Sequence, residues 1–425
     1  MGLFLSGFIA FLAIGVPIAL ALGLACALYL LLTGNADLLR AFPQHMISGV
    51  DNFILLTIPM FLLAGNLMNA GGITTRLVDC ARAVVGHVRG GLALVNVVAS
   101  MFFSGISGAA TADASALGTV LIPAMEKEGY GKAYSAALTA VTSVIGPIIP
   151  PSIAMIIYGV LSGTSIARLF IAGIVPGLML GIGLMLYVYF MARRHGHPVS
   201  ERVSLPQKIV ATGRAAPALM LPVIILGGIL SGVFSPTESA AVAVIYALLV
   251  SSLLYRTLRL SDLWRTLNDT AILTAGIMLI VAVAKMVSFV LGFDNVPARV
   301  ATAMLEISHD KFVLLLLVNV FLLLLGLFLE PLAAMIMTMP VLLEVAKLLE
   351  LDLVHLGMIV VLNLVIGLAT PPVGLCLFIV CAIGRVSLEK VSRAALPMLG
   401  ICLAVLLLVT FVPELVLFLP NLLDS

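Results

Sequence analysis

Proline occurs as a consecutive pair at two places in this chain, Pro150-Pro151 and Pro371-Pro372, each time inside a long apolar run. The surroundings read as copies of each other: Gly146-Pro147-Ile148-Ile149-Pro150-Pro151-Ser152 and Gly367-Leu368-Ala369-Thr370-Pro371-Pro372-Val373. One offset, 221 residues, superimposes the two pairs and also pairs Gly105 with Gly326 and Pro176 with Pro397. The chain is therefore a duplication. Proline removes a backbone donor and bars the residue before it from the α region, so each copy carries a helix that must break within its apolar run. Broken helices at matched positions of two halves point to a substrate and ion site of a secondary transporter.

Hydrophobic residues make up 62% of the 425 and charged residues 10%. With a mean hydropathy of +1.25, the apolar surface exceeds what a water-soluble core could hide, so the fold class is an all-α polytopic membrane protein. The first run, residues 3–32, has no basic leader or small-residue cleavage site and reads as one retained helix. The five cysteines lack metal-ligand spacing and read as buried small hydrophobes.

Crossings are expected at 3–32, 53–70, 133–163 (broken at Pro150), 168–192, 216–233, 236–255, 270–292, 354–384 (broken at Pro371) and 396–420. Residues 91–126 and 311–350 each contain two short apolar arms around a small or polar tip, and read as two re-entrant helical hairpins. Amphipathic stretches, Ile73 to Arg89 and Pro297 to Asp310, precede the hairpins and read as interfacial arms. This divides the chain into scaffold helices and first arm (1–90), transport half one (91–192), a cytoplasmic loop of 193–215 with further scaffold and second arm (193–310), and transport half two (311–425). With that loop inside, the inner side collects Arg76, Arg82, Arg89, Lys127, Lys132, Arg193, Arg194, Arg202, Lys208, Arg214, Arg256, Arg259, Arg265, Arg385, Lys390 and Arg393. The outer side holds Arg40, Arg168, Arg299 and Lys311. The asymmetry obeys the positive-inside rule, places the N-terminus inside and the C-terminus outside, and makes the repeats inverted.

A hairpin tip facing a broken helix gathers freed backbone carbonyls and small hydroxyls, the hard oxygen ligands that suit Na⁺. Two Na⁺ sites are expected. The first combines Ser104, Gly105 and Ser107 with Gly146 and Ile149; the second combines Gly326 with Gly367, Thr370 and Val373. The bland alternative is that these glycines and prolines only kink packed helices, and the common offset argues against it. Half-helices starting near Ser152 and Val373 aim free N–H groups at the same region, where an anion could be held without a full positive charge. Substrate contact is assigned to Ser104, Ser107, Thr111, Asp113, Ser152, Glu330 and Val373. Asp113 and Glu330 could instead cap a hairpin arm, and Lys285 reads either as a counter-ion or as a side chain snorkelling outward. No nucleotide-binding or hydrolase motif occurs, and the only sizeable loop is too short for a domain, so an enzyme is not expected.

The run Leu351-Asp352-Leu353-Val354-His355-Leu356-Gly357, followed by Leu362-Asn363-Leu364-Val365-Ile366-Gly367-Leu368-Ala369-Thr370-Pro371-Pro372-Val373-Gly374, resembles the large membrane subunit of tripartite ATP-independent periplasmic (TRAP) transporters. So do Ser107-Gly108 to Ala112-Asp113, Pro147 to Pro151, and Ser235-Pro236-Thr237-Glu238-Ser239-Ala240-Ala241. The likeness spans essentially the whole chain. Glu330 stands where the family carries aspartate and Leu353 where it often carries proline. The resemblance implies an elevator transporter in a bacterial inner membrane, with a small four-helix membrane subunit and a periplasmic binding protein as partners. It also implies an organic acid as substrate: a dicarboxylate, sugar acid, sialic acid or keto acid. A binding-protein-independent dicarboxylate/sodium symporter is the runner-up. A structural or proton-conducting subunit would need a line of buried ionisable residues, which the crossings scarcely offer.

Overall fold

A computed structural model describes residues 2–195 and 204–424, and every regular element among them is helical. In chain order the first helices are α1 Gly2–Ala13, α2 Ile18–Leu32, α3 Phe42–Val50, α4 Thr57–Ala70 and α5 Ile73–Val85. They are followed by α6 Gly91–Ser107, α7 Ala110–Lys127, α8 Lys132–Thr142, α9 Ile153–Ser162 and α10 Ile166–His195. Next come α11 Leu205–Leu230, α12 Pro236–Leu249, α13 Leu260–Phe293, α14 Val296–Ile307 and α15 Lys311–Gly326. The last are α16 Pro331–Leu348, α17 Leu353–Gly367, α18 Leu375–Gly384, α19 Leu388–Phe411 and α20 Glu414–Asp424.

The series α4 to α10 is repeated by α13 to α19. Both proline pairs carry a cis peptide and fall between matched half-helices, α8/α9 and α17/α18. Pro176 and Pro397 lie inside the matched helices α10 and α19. Backbone conformation repeats where residue type does not: Gly72 and Asn295 are left-handed before the arm helices, Gly129 and Glu350 after the hairpins, and Gly163 and Arg385 after the second half-helices. The halves interlock crosswise, α7 packing on α18 and α16 on α9, while α8 lies on α19 and α17 on α10. Around them α4 packs on α12 and α13, α5 on α11, and α2 and α3 on α13.

Among the described residues seven helices are long and apolar enough to cross a membrane, the longest being the 34 residues of α13. Four expectations need correction. Residues 3–32 are not one crossing: Gly15, left-handed at φ +84, and Pro17 turn the chain, and α1 packs back along α2. The inside placement of the N-terminus rested on that single crossing. The run 396–420 is interrupted at Val412-Pro413, and α20 turns to lie along α10, where the Arg168 guanidinium donates to Asn421 at 3.0 Å. The loop 193–215 is shorter, since α11 begins at Leu205 behind a Ser204–Gln207 capping box; Arg202 lies outside the described residues. Arm length does not exclude crossing either, because α16, with 18 residues, is long and apolar enough to span.

Candidate functional site

The first hairpin turns within two residues. Ser107 ends α6, Gly108 is left-handed at φ +62, Ala109 is extended, and α7 starts at Ala110. A Cβ on Gly108 would lie 2.5 Å from the Pro151 carbonyl oxygen, so only glycine lets this tip rest on the break. The break itself follows from the prolines: Pro150 and Pro151 offer no N–H to the carbonyls one turn back, those of Gly146 and Pro147. The Ser152 hydroxyl donates to the Pro147 carbonyl, whereas no backbone hydrogen bond of this segment ends on Gly146.

Against Gly146 stands Asp113, in the first turn of α7 and fully buried. A Cβ on Gly146 would collide with its carboxylate and sit 3.1 Å from the Ser143 carbonyl oxygen. The Ser107 hydroxyl donates to one carboxylate oxygen, Oδ1, and Oδ2 has no partner. A fully buried carboxylate with an idle oxygen stands beside Gly146, whose carbonyl accepts no backbone hydrogen bond, and such oxygens are the donors a hard cation takes. Among the described residues no three His, Cys, Asp or Glu side chains cluster, so a cation here would be held mainly by carbonyls and hydroxyls.

The second hairpin closes differently. Gly326 ends α15 against the second break: a Cβ on Gly367 would strike the Gly326 carbonyl. Pro371 and Pro372 again withhold donors, but here the chain supplies substitutes. Thr370 N donates to Gly367 O at 3.1 Å and Cys376 N to Leu368 O at 2.9 Å. The Thr370 hydroxyl donates to Ile366 O at 2.7 Å. Glu330 is the N-cap of α16, accepting from Leu332 N at 3.0 Å and Ala333 N at 3.3 Å.

Both tips and both breaks open onto one cavity of about 640 Å³, within the range of small-molecule sites. Ser107 and Thr111 line it from the first tip, Glu330 from the second, Pro147 and Leu368 from the breaks. The first residues of α7, α9, α16 and α18 reach it together. The N-termini of α7 and α18 lack a side-chain cap, whereas Ser152 caps α9 through Met155 N and Glu330 caps α16. Four assigned substrate residues, Val373 among them, stand outside the cavity lining. Ser104 is fully buried and its hydroxyl donates to Ser100 O; Asp113 faces Gly146 beneath the tip; Ser152 is sealed under the first break. Gly105 packs against Pro222 of α11, with the Pro150 carbonyl oxygen 3.8 Å from where its Cβ would lie, and Ile149 packs against Gly177. Val373 is half-buried next to Gly374, and Lys285 is exposed on α13 beside Gly49 of α3.

Sequence reasoning passed over the asparagines. Asn66 and Asn69 of α4 line the cavity, Asn66 donating to Thr270 of α13 at 2.9 Å. Asn96 joins α6 to α8 through Thr139 at 2.7 Å and Thr142 at 3.1 Å. In the second half Asn363 of α17 donates to Asn319 of α15 at 2.7 Å, and Asn319 to Thr410 at 3.2 Å. Thr142 and Asn363 stand at the 221 offset, so each half pins its first hairpin arm to its first half-helix by a buried polar pair. An amide in an apolar span was the available signal.

Residues 5–415 match the profile of the family described as "Tripartite ATP-independent periplasmic transporter, DctM component". The chain is 42% identical over 401 residues to the C4-dicarboxylate TRAP transporter large permease protein DctM of Pseudomonas aeruginosa, covering 94% of each chain. It is 40% identical over 416 residues to the sialic acid TRAP transporter large permease protein SiaM of Vibrio cholerae, covering 98% of this chain and 97% of the other. Among solved structures, the Alcanivorax borkumensis YdaH transporter shares the fold, with a TM-score of 0.65 at 16% identity over 88% of each chain.

Proposed function

The chain belongs to the DctM component family of tripartite ATP-independent periplasmic transporters, and from this inner-membrane permease identity we propose sodium-coupled uptake of an organic acid anion by an elevator movement. The observation that carries the reading is the convergence of both tips, both helix breaks and the scaffold helices α4 and α13 on one cavity. The substrate class is that of the relatives, whose names specify C4-dicarboxylate and sialic acid.

Among the described residues the cavity has no basic side chain in its lining, so the carboxylate of a substrate is met by the uncapped N–H groups of α7 and α18 and by hydroxyls such as Thr111. Two coupling ions are proposed. One lies between Asp113, Ser107 and the carbonyls of Ser143 and Gly146; the other lies at the Gly326–Gly367 approach with Thr370 and Val373. Binding at the first offsets the buried charge of Asp113 and steadies the α7 N-terminus that faces the substrate. Binding of ion and anion is thereby coupled through one helix turn. The crosswise packing of α7 on α18 and α16 on α9 lets the two hairpins and two broken helices travel as a unit, with α5 and α14 as linking arms.

The tripartite assignment implies two partners, a small membrane subunit that braces the scaffold and a periplasmic binding protein that delivers the anion. A site built from helix N-termini without a basic side chain binds free substrate weakly. Proteoliposomes containing this chain alone should therefore show no organic-anion uptake. Uptake should appear only when the small subunit, a loaded binding protein and an inward sodium gradient are all supplied. Comparable uptake of free substrate by the isolated chain would overturn the partner requirement; uptake indifferent to sodium would overturn the coupling.

A further inference from the structure

A second, larger cavity of about 1170 Å³ lies between the amphipathic arm α5 and the start of α11, away from the transport cavity. Arg76 and Arg82 of α5 and Arg214 of α11 line it, with Asp79 the only acidic residue of the lining among the described residues. Arg76 is held in place: its guanidinium lies 3.9 Å from the Tyr255 ring centroid and donates to Gly71 O and Gly72 O at 3.1 and 2.7 Å. Tyr255 in turn donates to Arg214 O at 2.9 Å, fixing the floor of the groove to α11. Arg82 makes one long contact, 3.7 Å, with Glu128, and Arg214 enters none of the ion pairs among the described residues.

Depth decides what such a groove can hold. The 26 residues of α11 extend to roughly 39 Å, about 9 Å more than the hydrocarbon core of a bilayer, so an upright α11 places one end among headgroups. The basic end is that one. At the same level α11 turns apolar side chains outward, Ile209 at 64% and Val210 at 51% exposure, and Val210 also lines the groove. A cationic concavity opening beside an exposed apolar helix face matches a ligand with an anionic phosphodiester head and acyl tails.

We propose that this groove binds the headgroup of an anionic phospholipid, with Arg82 and Arg214 pairing the phosphodiester oxygens and the acyl chains lying along α11. The site touches α5, the arm joined directly to the first hairpin, so an occupant would bear on the position of that arm.

The test is a titration of the purified full-length chain in detergent with fluorescent dioleoyl phosphatidylglycerol. The wild type should saturate, phosphatidylcholine should not compete, and neither should millimolar inorganic phosphate. Removing two surface cations, in R82Q/R214Q, should weaken binding on the order of 30-fold, and R82K/R214K should recover most of it. Gly213→Asp, at a position with open space around it, adds a carboxylate beside the groove without removing any contact. It should weaken binding as well, which keeps the test decisive should the glutamine pair fail to fold. Undiminished affinity in R82Q/R214Q or in Gly213→Asp would overturn the site. Competition by phosphatidylcholine would overturn the charge requirement, and competition by inorganic phosphate would make it a site for a free anion.

Discussion

The two halves of this permease share their helix order and their left-handed corners, yet they treat the broken helix in opposite ways. In the first half the prolines strand the Gly146 carbonyl, and a buried carboxylate, Asp113, leaves Oδ2 without a partner beside it. In the second half Thr370 N and Cys376 N take up the carbonyls of Gly367 and Leu368, and the acid of the tip, Glu330, is spent as an N-cap on α16. The first break is electrostatically incomplete and the second is nearly self-sufficient. Duplication therefore preserved the geometry of the break while the satisfaction of its carbonyls became unequal.

The comparison presupposes that the halves are inverted, and labelling tests that with an all-or-none readout. Gly131 follows the first hairpin and Glu350 the second; both are exposed, and no atom lies within 4 Å of a Cβ on Gly131. Gly131→Cys and Glu350→Cys, each in a background without the five native cysteines, should react with an impermeant maleimide from opposite sides of the membrane. Reaction from one side would turn the inverted repeat into a parallel one, and the positive-inside trace would fall with it.

Asp113 should show the largest graded effect. Asp113→Asn keeps the volume and the Ser107 contact but deletes the charge that the first ion would neutralise. Removing one partner of a buried charge pair costs about 3 kcal/mol or more, so the sodium concentration for half-maximal uptake should rise on the order of 100-fold. Sodium should raise the thermal midpoint of the wild type and leave that of the variant unmoved. An unchanged sodium response would mean that the carboxylate only ties α7 to Ser107 and holds no ion.

The tips differ in what they tolerate. Gly108→Ala would force a side chain onto φ +62 and to within 2.5 Å of the Pro151 carbonyl oxygen, a strain of about 1 to 3 kcal/mol. Gly326→Ala meets its nearest neighbours at an ordinary 3.5 Å. The first variant should lower the thermal midpoint by several degrees and impair uptake, while the second should fold and transport almost as the wild type does. Equal damage from both would erase the contrast between the tips.

How much of this the sequence carried depends on the kind of signal. Prolines and tip glycines act through the backbone, so the breaks, the hairpin tips and the duplication were legible from Pro150, Pro371, Gly105 and Gly326. The α1/α2 turn was missed because apolar residues fill both arms, and Gly15 and Pro17 were outweighed by a run long enough for one crossing. Asp113 stood out as an acid near a tip, yet its direction depends on the phase of α7 after Gly108, so its approach to Gly146 had to come from the fold. Asn66 and Asn69 carry no motif, and they reach the cavity only because α4 packs beside α13. The corners Gly72/Asn295, Gly129/Glu350 and Gly163/Arg385 were hidden because they conserve a conformation and not a residue type.

The smallest effect sharpens the comparison most, because it probes the half that already satisfies itself. Thr370 is half-buried, and its hydroxyl donates to Ile366 O, which also accepts from Ala369 N at 3.1 Å. Thr370→Val keeps the shape, removes one neutral oxygen and leaves that carbonyl with a second partner, so the fold should lose little. A neutral oxygen contributes about 1 kcal/mol net, which corresponds to roughly a 5-fold rise in the sodium concentration for half-maximal uptake. Measured beside Asp113→Asn under one gradient, the smaller shift should leave the maximal rate nearly intact. A shift as large as that of Asp113→Asn would show that the second site depends on its hydroxyl as heavily as the first does on its charge, and the inequality of the two halves would have to be given up.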